Sequence, residues 1–94
     1  MNIKMIKGKI VEFINLINEV KDKNKDKIFI DFLSKFENSL KSVNNNENLD
    51  YDYLEARFRG FIIWVGEYEN YTDSEILYNK LCEIYDILDV AHQN

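Results

Sequence analysis

The chain has no proline, only three glycines and a single cysteine. All-β domains turn often, and their turns draw on Gly and Pro. The scarcity of both argues for a few long helices joined by short polar links. Cys82 has no second cysteine to pair with, so nothing calls for an oxidising compartment. No uncharged apolar run approaches the ~18 residues of a membrane span. Lys4, Lys7 and Lys9 open the chain as a signal peptide would. Glu12, Asn15 and Asn18 then interrupt the apolar stretch, and no small-residue cleavage site follows. The expected location is the cytoplasm.

The 94 residues suffice for one domain, 1–94. At 46% hydrophobic and 14% aromatic, they are too rich in core-forming side chains for a disordered chain. The net charge of −5 is uneven: residues 1–27 carry seven lysines against four acids, and residues 28–94 carry thirteen acids against five basic side chains. An acidic surface repels nucleic acid and membranes and attracts basic proteins.

Apolar periodicity divides the chain into four segments. Ile3, Ile6, Ile10, Phe13, Ile17 and Val20 follow a 3-4-3-4-3 spacing, one stripe of a helix over 3–20. The run 21–27 has no apolar residue and reads as a solvated loop. Phe29, Phe32, Phe36, Leu40 and Val43 give a helix over 27–43, with Asp26 or Asn24 as its cap. The Asn-rich stretch 44–50 reads as a linker, ending in Asp50 as the next cap. Tyr51, Leu54, Phe58, Phe61, Val65 and Tyr68 place a helix over 51–68. Within it Phe61–Val65 is apolar on every side, so the segment is central in the core, carries a second buried face, or is a short buried strand. Gly60 beside it would let another backbone approach closely. Thr72-Asp73-Ser74-Glu75 matches a capping box, opening a fourth helix over 73–91 with Leu77, Leu81, Ile84, Leu88 and Ala91 on its stripe. The predicted fold is all-α, an antiparallel bundle of about four amphipathic helices.

Catalytic signatures are missing. No H-E-x-x-H, C-x-x-C, phosphate-binding glycine loop or G-x-S-x-G occurs. Glu47, Asp50 and Asp52 lack the spacing and glycine of a calcium loop. His92 lies at the tail, away from Cys82. The pairs Asp86/Asp89 and Glu83/Asp86 sit on an outward helix face, which supplies no pocket to tune them. Arg57 and Arg59 are not followed by the histidine that helical-bundle ribonucleases carry, and are expected to pair with Asp52, Glu55 and Asp73. The expectation is therefore a protein that is not an enzyme and takes no metal or cofactor.

What stands out is tyrosine among carboxylates. Asp50, Tyr51, Asp52, Tyr53 and Glu55 gather with Glu47 at the start of the third helix. Glu67, Tyr68, Glu69, Tyr71 and Asp73 gather with Glu75 at the third link. Glu83 and Asp86 add charge on the fourth helix, near Asp89. Tyrosine offers large contact area at low entropic cost, and carboxylates beside it steer a basic partner. These residues are the candidate partner-binding set.

In size, charge and helicity, and in Tyr51-Asp52-Tyr53 and Glu67-Tyr68-Glu69-Asn70-Tyr71, the chain resembles the helical immunity proteins of nuclease colicins and contact-dependent inhibition systems. The resemblance implies a protein that caps a basic toxin, a nuclease in these systems, and blocks its substrate site. A second reading is a structural or adaptor module that self-associates through Phe61–Val65, should Ile63 and Trp64 face outward.

Overall fold

The computed structural model describes residues 3–46, 48–68, 71 and 73–93, with side chains through 90. It contains four helices: α1 (Ile3–Lys23), α2 (Lys27–Asn44), α3 (Tyr51–Gly66) and α4 (Ser74–Gln93). No strand occurs among the described residues, and Phe61–Val65 is helical. The all-α four-helix bundle is the fold predicted from periodicity.

Local chemistry fixes the helix ends. Asp26 caps α2, its Oδ1 accepting the Phe29 N–H at 2.8 Å, and Asp50 caps α3 by accepting the Tyr53 N–H at 3.0 Å. Each satisfies a backbone donor that the first turn leaves without a partner. Helix α4 begins one residue later than predicted. Its first carbonyl acceptor belongs to Asp73, bonded by the Leu77 N–H at 3.2 Å. Asp73 has φ 62°, a left-handed conformation that Asp tolerates better than most residues. Thr72, the expected cap, lies outside the described residues.

Helix α1 corrects the reading of 21–27 as a loop, because it runs on through Lys21-Asp22-Lys23. Lysines suit the negative end of the helix dipole. Lys21 is further held by Glu37 of α2, its Nζ 2.9 Å from Oε1. The true link is the short stretch 24–26, where the Asn24 side-chain amide donates to the Val20 carbonyl at 2.8 Å.

The helices run antiparallel around one continuous core. Phe29, at the start of α2, meets Trp64 and Tyr68 at the end of α3, while Phe36, further along α2, meets Phe58. Backbones approach closely between α1 and α2, α1 and α4, and α3 and α4. Among the described residues no Cα of α2 comes within 8 Å of one in α3. Aromatic rings span that gap. No described helix is long and apolar enough to cross a membrane.

Candidate functional site

The side chains between α2 and α3 are unlike those elsewhere in the bundle. Phe32 and Trp64 stack with centroids 3.6 Å apart and planes 8° from parallel. One turn deeper, Phe36 and Phe61 stack at 3.8 Å and 18°. Phe36 also meets Phe13 of α1 edge-on at 6.1 Å and Phe58 at 5.5 Å. The layer is thus tied to the centre of the core by the offset and edge geometries that rings prefer. At the other end Phe29 packs against Tyr68 and Tyr71.

Rings wide enough to bridge two separated backbones leave space above them. A groove of about 480 Å³ opens there, lined by Phe32, Phe36, Ala56, Arg57, Gly60, Phe61 and Trp64. A Cβ placed on Gly60 would meet nothing within 4 Å. Among the described residues no second backbone uses the close approach that the glycine permits. Ile28 and Ile63 stand 70% and 65% exposed on the same two helices. Arg57 donates to the Ser39 hydroxyl at 3.2 Å and lies 5.9 Å over the Phe36 ring. Arg59 donates to the Tyr85 hydroxyl at 3.3 Å and covers that ring at 5.9 Å. That hydrogen bond, with the charges of Glu55 and Asp89 nearby, favours its protonated form. Glu55, one of the acids the sequence offers to these arginines, acts on Arg59 through its charge, while the direct contacts described for both arginines are to hydroxyls and ring faces. A guanidinium is weakly hydrated enough to stack on such faces.

The predicted partner-binding residues fall into several environments. Asp50 is occupied as a helix cap. Tyr51 packs half-buried against the core, and Glu55 is buried at 8% exposure. Asp52 and Tyr53 are exposed. Tyr68 and Tyr71 turn inward to Phe29. The Tyr71 hydroxyl donates to Asp26 Oδ2 at 2.9 Å, so two links 45 positions apart in the chain are joined at one end of the bundle. The Phe29 N–H and this Tyr71 O–H together hold the Asp26 carboxyl below its usual range. Asp73 pairs with Lys23 at 3.0 Å. Glu83 pairs with Lys9 at 3.6 Å and Lys80 at 3.5 Å. Glu67 and Asp86 are exposed, as is Glu75. Glu69 and Glu47 lie outside the described residues, as does Asn70.

The tyrosine clusters therefore sit at opposite ends of α3, whose 16 residues separate them by roughly 24 Å. In comparisons with protein-family models, with curated proteins and with solved structures, nothing matches the chain.

One carboxylate has an unusual environment and a structural use. Glu37 is 5% exposed on α2. Burial alone would raise its pKa, but hydrogen bonds from Lys41, Lys21 and Asn18 outweigh that and lower it to about 2. Lys41 Nζ lies 2.7 Å away and Lys21 Nζ 2.9 Å. Glu37 thus fastens α1 to α2. Cys82 is half-buried on α4. Among the described residues no three His, Cys, Asp or Glu side chains gather as a metal site requires.

Proposed function

We propose that this protein is a non-catalytic binding protein that recognises a basic protein partner through the acidic outer side of α4. In the reading suggested by its resemblance to immunity proteins, the partner is a toxin domain that it neutralises. One observation carries the proposal: charge is segregated between the two helical hairpins. Residues 3–44 hold nine basic and six acidic side chains, a net +3, whereas residues 51–93 hold nine acidic and three basic, a net −6. Helix α4 contributes Glu75 and Asp86 to one exposed stripe, eleven positions and about three turns apart. Tyr78, 40% exposed, lies on the same helix. A field of one sign on a rigid scaffold steers an oppositely charged partner and accelerates encounter. A nuclease must be basic where it holds phosphates, which makes such an enzyme a suitable target.

The experiment is a pair of captures from the native cell, one with the wild-type protein and one with the Glu75→Lys/Asp86→Lys variant. The proposal expects a basic protein retained by the first and lost from the second, with an association rate that falls steeply as salt is raised. Equal retention by both, or association indifferent to salt, removes the electrostatic docking surface.

A further inference from the structure

We infer that the α2–α3 groove is a contact surface for a second copy of this chain, the two copies facing each other about a two-fold axis near Phe32 and Gly60. This surface is separate from the acidic side of α4, and the inference does not depend on the proposed function.

The apolar wall of the groove is the Phe32–Trp64 stack beside the open space over Gly60, and the same two helices carry Ile28 and Ile63, both more than half exposed. A mid-helix glycine costs about 1 kcal/mol relative to alanine. Among the described residues nothing packs into the room it leaves.

The charges at the rim identify the occupant. On α2, Asp31 and Lys35 are both exposed. They are one turn apart on the same side of the helix and do not bond each other. On α3, exposed Arg57 and Glu67 lie on either side of the groove's midpoint at Gly60–Ile63. Because α2 and α3 are antiparallel, Asp31 and Glu67 fall toward one end of the groove and Lys35 and Arg57 toward the other. Asp31, Lys35 and Glu67 enter none of the ion pairs among the described residues, which instead involve Lys9, Lys21, Lys23, Lys41 and Lys80.

A surface with acid at one end and base at the other complements itself when turned by 180°. The acidic end of one copy then meets the basic end of the second, as an isologous contact requires. A foreign helix would need a matching dipolar pattern, whereas a second copy already has one. The face is two helices wide and about 24 Å long, or on the order of 500 Å² per copy. The total is near the ~1,000 Å² floor for a specific interface, so the dimer is weak.

The test uses Arg57→Glu and Glu67→Arg. Each variant alone sets like charges against each other across the axis. Mixed together, a copy with two acids meets a copy with two bases, and both contacts are attractive. In sedimentation equilibrium the wild type is expected to dimerise reversibly in roughly the 0.1–1 mM range. Each variant alone is expected to bind about tenfold more weakly, and the equimolar mixture at least as tightly as the wild type. Trp64, the single tryptophan, supplies a second readout in the groove wall, its emission moving to the blue as the dimer forms. Helical circular dichroism equal to the wild type certifies each variant, and Asp31→Lys with Lys35→Asp repeats the design on α2 should either fail to fold. A wild type that stays monomeric across this range overturns the inference. So does a mixture that associates no better than its components, including the outcome in which the wild type dimerises through another face.

Discussion

Between α1 and α4 the bundle is closed; between α2 and α3 it is open. Along the closed pair both helices bury aliphatic residues, Ile6, Ile10 and Ile17 on α1 and Leu77, Leu81, Ile84 and Leu88 on α4. Its outer edge is crossed by ion pairs linking Lys9 and Lys80 to Glu12 and Glu83. The two backbones come close together. The open seam is filled by flat rings that stack at 3.6 and 3.8 Å and hold the backbones apart. Both arrangements bury apolar surface, but only the stacked one leaves an open groove beside its rings, with Arg57 over the Phe36 ring in its wall. The choice of residue type in the core thus decides which seam stays available to another molecule.

The strongest way to break this contrast is to remove rings at two depths of the open seam. Phe36, 2% exposed, touches Phe13, Phe58 and Phe61. Phe36→Ala is expected to cost about 3–5 kcal/mol in urea unfolding. Trp64 is half-buried at the groove wall, and Trp64→Ala is expected to cost only about 1–2 kcal/mol, because much of its surface already meets solvent. Equal losses would show the rings to be uniformly buried and the groove to be closed in solution.

The four helices could be read from the sequence because their stripes repeat without interruption and Asp26 and Asp50 stand at the cap positions. The continuation of α1 through Lys21-Asp22-Lys23 could not, since a charge run carries no apolar period and its anchor, Glu37, lies sixteen positions away on another helix. The seam was hidden for a related reason. Phe29, Phe32 and Phe36 fall on one stripe, and periodicity gives no means of distinguishing a ring that faces the centre from one that faces a gap between neighbours. Ile63 was the residue whose position decided between a wholly buried segment and an exposed one, and it points out. The tyrosines at 68 and 71 show the converse limit. Neighbouring carboxylates suggested a wet surface, but a hydroxyl that can reach Asp26 lets the ring turn inward.

An acid titration sharpens the contrast from the α1–α2 side. Glu37 has a folded-state pKa near 2, against an ordinary value of 4.5. The unfolded chain therefore binds its proton more readily than the folded one. The stabilisation is fully present above about pH 4.5 and is lost as pH falls from there toward 2. Asp26, also lowered, loses its contribution in the same direction. Glu37→Gln is expected to cost about 2 kcal/mol at neutral pH, since Lys21 and Lys41 lose their shared partner. It should also flatten the stability–pH curve between pH 5 and 2, leaving only the slope due to Asp26 and other carboxylates. An unchanged acid slope in this variant would mean that the Lys21–Glu37–Lys41 link does not persist in solution.

The smallest expected effect lies on the closed seam and asks what closes it. The ion pairs over α1 and α4 span 3.5 to 3.8 Å, with Glu12 and Glu83 side chains 59% and 49% exposed. At that exposure water and salt screen the attraction, and holding long side chains in place costs entropy that offsets much of what remains. A Glu12→Gln/Lys80→Ala double-mutant cycle, on a pair that crosses from α1 to α4, is expected to give a coupling of about 0.3 kcal/mol, vanishing in roughly 0.5 M salt. On that outcome the isoleucines and leucines beneath hold the seam shut, and the charges contribute orientation rather than strength. A coupling above about 1 kcal/mol would reverse the assignment. The seams would then differ in their surface charge networks, and replacing rings with aliphatic residues between α2 and α3 would not by itself close the groove.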